Sequence, residues 1–134
     1  MSKINTDPSG LGGKRFSKGK LQWSLLRLSV FAGAVRVMMM GALKYGKGNW
    51  EKGMAYSTVS QCLIRHYLLW EAGEDIDDES GENHLSHILC NVMMLLWYTI
   101  TGKGQDDRER NESEVKELKR LFNEEQYQTK KETK

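Results

Sequence analysis

Residues 82–101 read ENHLSHILCNVMMLLWYTIT, the strongest helical pattern in this chain. At about 100° per residue, the apolar side chains fall on one broad face, as in a helix that packs against others. Those side chains are Leu85, Ile88, Leu89, Val92, Leu95 and Leu96. Gly102 and Gly104 follow and predict the end of the helix. We therefore expect a long core helix over residues 82–101.

Polar side chains border the apolar face near the start of this helix. His84 and His87 are about one turn apart, and Asn91 follows one turn later. The two histidines either have a structural role or face a ligand. Asn91 needs hydrogen-bond partners among apolar neighbours, so it either orients a ligand or links two helices.

An acidic segment precedes the helix. Seven carboxylates lie within residues 71–82, and no basic residue stands among them, although the whole chain has a formal net charge of +2. They belong to Glu71, Glu74, Asp75, Asp77, Asp78, Glu79 and Glu82. An acidic loop beside histidines suits a divalent cation, and basic residues elsewhere in the chain suit the phosphates that such a cation accompanies. A solvated connection between two helices is the alternative.

A second helix is predicted before the acidic segment, from about Ser57 to Ala72, with Gly73 as its terminator. Two helices joined by a short loop are antiparallel. The loop carboxylates, His66 of the second helix and the histidines of the next helix can therefore share one cleft. The alternative for His66 is a core histidine with satisfied hydrogen bonds.

The segment before the second helix combines a helical pattern with a glycine-rich loop. Apolar residues at steps of three and four predict a helix over residues 21–44, and three glycines predict a loop over residues 45–53. Lys44 and Lys47 can meet phosphates, while Tyr45 and Trp50 offer flat faces to a base. These two aromatic rings could instead close the core.

The class that these patterns favour is all-α: a compact bundle of three core helices plus a C-terminal amphipathic helix. We expect a flexible basic arm over residues 1–19, a helical domain over residues 20–104, and a charged helix and tail over residues 105–134. In the last segment, Asn111 and Glu114 resemble a capping box.

Composition limits the partners. A length of 134 residues fits one domain, and because a pI near 8.5 is only mildly basic, no nucleic-acid partner is expected. The longest apolar stretch, residues 88–100, is too short to span a bilayer, so no membrane partner is expected. Cys62 and Cys90 sit in apolar helical patterns, which favours a reduced, cytoplasmic setting.

Two short motif matches fail at an obligatory position. Residues 41–48 match the start of a P-loop but end in glycine where a hydroxyl is required. Residues 75–86 begin like an EF-hand loop but have Ser80 and Ser86 at the obligatory glycine and glutamate positions. A zinc site that borrows His66 or Cys90 stays open.

Four blocks, taken in order, resemble the phage dATP/dGTP diphosphohydrolase family, a MazZ-like group with helical nucleotide pyrophosphohydrolase relatives. The blocks are GALKYGKGNWEKG (41–53), RH (65–66), GEDIDDESG (73–81) and HLSHILCN (84–91). The resemblance covers about residues 18–102. It implies a MazG-like helical architecture and a nucleotide as partner.

The resemblance also implies the chemistry. A purine (deoxy)nucleoside triphosphate, such as dGTP or dATP, would be hydrolysed to the monophosphate and pyrophosphate with Mg²⁺, or Mn²⁺ in its place. Glu74, Asp77 and Glu79 are the expected metal ligands, and Glu74, His84 and His87 are the expected catalytic residues. The expected substrate-binding residues are Lys44, Tyr45, Lys47, Asn49, Trp50, Arg65, His66 and Asn91.

Two other functions stay open. One is a non-catalytic protein that sequesters a nucleotide or nucleotide signal, and the other is a helical interaction module whose C-terminal segment seats a partner. Unpaired carboxylates repel phosphates unless a cation intervenes, which argues against the first. Because three short helices rarely enclose a nucleotide site alone, we expect a homo-oligomer, a dimer or larger. For a phage-encoded chain, the setting would be the host cytoplasm.

Overall fold

The computed structural model of the chain describes residues 4–16 and 18–123. The chain divides into two units, Met1–Ala32 and Gly33–Lys134. In the first unit, strands β1 (Ile4–Thr6) and β2 (Lys14–Phe16) pair antiparallel, with Ile4 opposite Phe16. Part of the predicted N-terminal arm therefore forms a short hairpin, while residues 1–3 and 17 lie outside the described part.

The predicted helix over residues 21–44 is wrong in its first half. Residues 23–25 and 28–31 form short 3₁₀ turns, and helix α1 (Ala32–Tyr45) begins only afterwards. Leu26 lies between the two turns in an extended conformation, and neither turn has a capping side chain. Apolar steps of three fit a 3₁₀ turn as well as an α-helix, so the pattern could not distinguish them.

Helices α2 (Tyr56–Glu71) and α3 (His84–Thr101) pack most extensively against each other. Both begin and end within two residues of their predicted bounds. Val59 of α2 and Tyr98 of α3 are buried between them. The two helices form an antiparallel hairpin, so the end of α2 lies beside the start of α3, as the sequence predicts.

Helix α1 meets α3 near the first residues of each. Ala34 and Cys90 are buried, and the Cys90 Sγ–H donates to the Ala34 carbonyl at 3.2 Å. Burial raises the pKa of Cys90 to about 11, so the side chain is a thiol. The Cys90 side chain is thus held against α1.

Aromatic rings fill the other end of the α2–α3 hairpin. Trp50, Tyr56 and Trp97 surround Tyr98, whose hydroxyl donates to the Trp50 carbonyl at 2.5 Å. We call these four residues the aromatic end. Gly104 lies against the Tyr98 ring, where a Cβ would come within 2.7 Å of the ring atoms. Only glycine fits there, which keeps the following segment close to α2.

That segment caps the start of α2. The Gln105 carbonyl accepts from the Tyr56 N–H at 2.8 Å. The Asp107 carboxylate accepts from the backbone N–H of Ser57 at 3.0 Å and from the Ser57 hydroxyl. Ala55, the residue at the N-cap, has no side chain that could cap the helix. Asp107 therefore takes the place of the missing N-cap side chain.

Asp107→Ala is expected to lower the free energy of unfolding by about 1–2 kcal/mol, the usual cost of losing an N-cap. Urea denaturation followed by circular dichroism measures this difference. Glu109→Ala, which removes an exposed carboxylate two residues later, is the control and should change stability little. Equal effects of the two substitutions would contradict the capping role.

Helix α4 (Glu112–Leu121) begins at the predicted cap, where Asn111 Oδ1 accepts from the Glu114 N–H at 3.0 Å. Its apolar stripe of Val115, Leu118, Leu121 and Phe122 is exposed. The all-α class is confirmed, whereas the MazG-like architecture stays a prediction. Residues 124–134 of the predicted C-terminal tail lie outside the described part.

One helical stretch among the described residues is long and apolar enough to cross a membrane. It is Leu28–Tyr45, 18 residues with a mean hydropathy of 1.3. A single stretch of this kind is weak evidence for a membrane role, because core helices of soluble proteins and signal sequences near the N-terminus pass the same test.

Candidate functional site

The acidic segment is an ordered turn that joins α2 to α3. Gly73 has a φ of +104°, and the N–H groups of Gly73 and Glu74 donate to the carbonyls of Trp70 and Leu69 at 3.0 Å each. This is the helix-ending arrangement that glycine favours, and it directs the chain back towards α3. Residues 76 and 83 then bridge the two sides of the loop.

Asp77 organises the tip of this loop. One of its oxygens, Oδ2, accepts from the backbone N–H and the hydroxyl of Ser80 at 3.0 and 2.7 Å. Ser80 Oγ also lies 2.6 Å from His87 Nε2. Burial would raise the pKa of Asp77, but the hydrogen bonds from Ser80 and the nearby imidazoles hold it below its usual value. Asp77 is therefore an ionised group directed at His87, whose Nε2 lies 3.4 Å from Oδ2.

His84 is the most deeply buried polar side chain of the site, with no exposed surface. Its Nε2 lies 2.8 Å from Glu74 Oε1, and its Nδ1 lies 2.9 Å from His66 Nδ1. Because a carboxylate only accepts, the His84 Nε2–H donates to Glu74. In the neutral ring, the Nδ1 lone pair then faces His66, which donates from its own Nδ1–H.

The third imidazole completes a cluster. His66 stacks on His87 with ring centroids 4.2 Å apart and an interplanar angle of 6°. Burial lowers the pKa of both rings, and the neighbouring imidazoles add to this effect, while Asp77 opposes it. We call His66, His84 and His87, with Glu74 and Asp77, the histidine cluster. The rings of His66 and His87 are therefore neutral at pH 7, so they can accept protons or bind a metal ion.

The metal-free protein is expected to lose stability as the pH falls from about 7 to about 5. The unfolded imidazoles of His66 and His87 take up protons near pH 6.5, whereas the folded rings do so only at a lower pH. The unfolded state therefore binds more protons in this window, and the free energy of unfolding falls as the pH falls. Urea denaturation in EDTA across this range measures it. Equal or higher stability at the lower pH would contradict the prediction.

The structure brings some of the predicted metal ligands close to the imidazoles. One nitrogen each of His66 and His84 and one carboxylate oxygen of Asp77 all lie within 4.8 Å of one another. Glu74 reaches the cluster through His84, whereas Glu79 is exposed and acts on His87 only as a distant charge that raises its pKa. The structure thus brings two of the three predicted carboxylates to the imidazoles, and the predicted ligand set stays a prediction.

Two residues that sequence reasoning missed hold the loop in place. Arg36 of α1 donates to both Glu82 oxygens at 2.5 and 3.0 Å, and this pairing lowers the pKa of Glu82. Ser80 joins Asp77 to His87. A serine between Asp77 and His87 was a local signal that could have pointed to Ser80, but no local signal links Arg36 to Glu82.

Two predicted substrate-binding residues make contacts within their own helices. The Arg65 guanidinium is exposed and donates to Cys62 Sγ at 3.1 Å. The Asn91 amide donates to the His87 carbonyl at 2.9 Å, one turn earlier on α3. Asn91 thus lies one turn along α3 from His87, while Arg65 precedes His66 on the exposed surface of α2.

The structure places the glycine-rich loop at the other end of the hairpin. Trp50 belongs to the aromatic end and packs edge-on against Trp97, with ring centroids 5.0 Å apart. Along α3, Tyr98 lies about 21 Å from His84 at 1.5 Å per residue. Lys44, Tyr45 and Lys47 are exposed there, and the half-buried Asn49 begins a short 3₁₀ turn. Within one chain, the glycine-rich loop therefore lies at the opposite end of the hairpin from the histidine cluster.

Residues 12–108 match the profile of a family described as dATP/dGTP diphosphohydrolase, N-terminal. The chain belongs to this family. A dATP/dGTP diphosphohydrolase of Salmonella phage PMBT28 is 32% identical to it over 96 residues, which are 72% of this chain and 33% of the relative. The chain thus spans about a third of that family member's length. No solved structure is significantly similar to it.

Proposed function

We propose that this chain hydrolyses a purine deoxynucleoside triphosphate, such as dGTP or dATP, to the monophosphate and pyrophosphate. The observation that carries the proposal is the histidine cluster, which is closed by an ordered acidic loop and lies within the segment shared with the family. The relative's activity supplies the substrate class. If the chain is phage-encoded, it would act in the host cytoplasm on nucleotide pools.

The chain's own groups have distinct tasks in this proposal. Magnesium would arrive with the triphosphate and neutralise part of its charge. His87, kept neutral by burial and oriented by Ser80 and Asp77, would accept a proton from the attacking water. Glu74 would hold His84 in one tautomer.

The glycine-rich loop carries the residues expected to bind the substrate, but it lies far from the histidine cluster of the same chain. Lys44 and Lys47 suit phosphate oxygens, and Tyr45 and Trp50 suit a base, with Asn49 between them. Within one chain the loop is about 21 Å from the histidine cluster along α3, which is farther than a base lies from its α-phosphate. We therefore propose that a second copy of the chain brings its loop to this cluster.

Exposed apolar surface supports self-association. On α1, Val35, Met39 and Leu43 are 55%, 61% and 90% exposed, and on α2, Ile64 and Leu68 are 50% and 58% exposed. Each helix thus presents apolar side chains one turn apart, which is how a helix packs against another helix.

Mixing two inactive variants tests the shared site. A Lys44→Ala/Lys47→Ala variant retains its histidine cluster, and a His84→Gln variant retains its loop. If the site is shared, mixed oligomers recover part of the activity, because one of their sites combines two intact halves. If mixed oligomers form and no activity returns, the site lies within one chain.

Product analysis tests the reaction itself. Incubation with each deoxynucleoside triphosphate and Mg²⁺ is followed by ³¹P NMR, and we expect pyrophosphate and a monophosphate from dGTP or dATP. Release of orthophosphate and a diphosphate would contradict the proposed bond cleavage. Tight nucleotide binding without turnover would instead favour the sequestering function, and retention of that binding in a chelator would strengthen this alternative.

A further inference from the structure

Three potential metal-binding atoms face one another at the centre of the histidine cluster. The two Nδ1 atoms of His66 and His84 are 2.9 Å apart. One nitrogen of each ring and a carboxylate oxygen of Asp77 all lie within 4.8 Å of one another. Ligand atoms on a tetrahedral ion with bonds of about 2.0–2.1 Å lie roughly 3.3–3.5 Å apart. The two imidazole nitrogens are thus slightly closer together than such an ion requires, and 4.8 Å bounds their distances to the Asp77 oxygen, so small side-chain rotations would place all three around one ion.

An independent feature of His84 also indicates a metal ligand. Its Nε2–H donates to Glu74, which leaves the Nδ1 lone pair directed into the group. Metal-binding histidines characteristically donate their other N–H to a carboxylate or carbonyl, which fixes the tautomer and the ring orientation. The complete burial of the His84 ring adds to the rigidity of this arrangement.

The chemistry of the donors selects the kind of ion. Magnesium prefers oxygen ligands in an octahedral arrangement and keeps several waters. Two imidazole nitrogens and one carboxylate oxygen instead suit Zn²⁺ and related divalent transition metals. Three protein ligands with one position left for water is the arrangement of catalytic zinc sites rather than structural ones.

We propose that His66, Asp77 and His84 hold a resident divalent transition-metal ion, of which Zn²⁺ fits best, separate from the magnesium that accompanies the nucleotide. On binding, the His66 proton moves from Nδ1 to Nε2, so that both Nδ1 atoms offer lone pairs to the ion. Glu74 acts as a positioning residue through His84. Asp77 contributes its negative charge and retains its hydrogen bonds from Ser80.

Metal content of the full chain tests this inference without any measurement of activity. Protein stripped with EDTA is dialysed against Zn²⁺, and bound zinc is measured by mass spectrometry. Replacement with Co²⁺ gives a visible spectrum that reports the coordination. We expect about one ion per chain, the intense visible absorption of four-coordinate cobalt, and zinc bound far more tightly than Mg²⁺.

Variants locate the ion. Asp77→Asn should weaken zinc binding at least about tenfold, and Glu74→Gln should weaken it about 10–100-fold by loosening His84. Asp78→Asn is the matched control, because it makes the same chemical change at the next, exposed residue of the loop, and it should bind zinc normally. Since the Glu74 side chain is 41% exposed, its replacement tests the site even if a change at His84 prevents folding.

Several results would overturn the inference: no stoichiometric zinc, magnesium bound as tightly as zinc, or the same loss in Asp77→Asn and Asp78→Asn. The proposed metal site and the proposed hydrolysis can be contradicted independently of each other. Stoichiometric zinc with no turnover of any nucleotide supports the site and contradicts the enzyme. Turnover with Mg²⁺ by a protein that takes up no stoichiometric zinc contradicts the site and supports the enzyme.

Discussion

Replacement of His84 by glutamine is expected to lower kcat/KM for dGTP hydrolysis by at least about 100-fold. The ring is fully buried and touches both Glu74 and His66. A glutamine amide can take the place of Nε2 and still donate to Glu74, but it offers no atom at the position of Nδ1. The contact between residue 84 and the His66 ring is therefore lost.

His84→Asn is the matched variant, because its amide takes the place of Nδ1 and loses the contact with Glu74. We expect it to be impaired as well, since both nitrogens of the ring have partners. Far-UV circular dichroism and thermal unfolding show whether each variant folds. A folded His84→Gln protein with kcat/KM within about threefold of the original would contradict a role for this ring in the reaction.

The second large effect is expected at the exposed face of α1. Leu43→Lys, combined with Met39→Lys, should weaken self-association at least about tenfold, because each change places a charge where an apolar side chain would be buried. Hydrolysis should fall with the oligomer, since the proposed site combines the loop of one chain with the histidine cluster of another. Light scattering during size-exclusion chromatography measures the oligomer.

Leu11→Lys is the control for this face. Leu11 is 90% exposed, as Leu43 is, but it belongs to the hairpin unit rather than to α1. The same chemical change there should leave both the oligomer and the activity intact. Monomers in the unmodified protein, or full activity in a monomeric Leu43→Lys/Met39→Lys variant, would contradict the shared site.

The α2–α3 hairpin was largely predictable from the sequence. Its apolar periodicity, Gly73 and the short loop predict two antiparallel helices, and the structure begins and ends them within two residues of the expected positions. Antiparallel packing alone placed His66 near His84. The hydrogen bonds within the acidic loop were less predictable from the sequence, because they depend on how Gly73 and Ser80 turn the backbone.

Contacts between distant segments were not predictable. Arg36 and Glu82 are 46 residues apart, and nothing local to either residue indicates the pairing. The position of Trp50 at the far end of α3 depends on the direction of α1, which periodicity does not specify. The 3₁₀ turns before α1 were missed because apolar steps of three are common to both kinds of helix.

The central claim is that the acidic loop and the three imidazoles form one hydrolytic site. Substitution of Asp77 tests this claim most directly. Pyrophosphate release from dGTP is measured side by side for the original protein, Asp77→Asn and Asp78→Asn. The account predicts a loss of at least about 100-fold for Asp77→Asn and little change for Asp78→Asn, since only Asp77 touches His87 and Ser80. Equal rates in the two folded variants would show that the loop takes no part in the reaction.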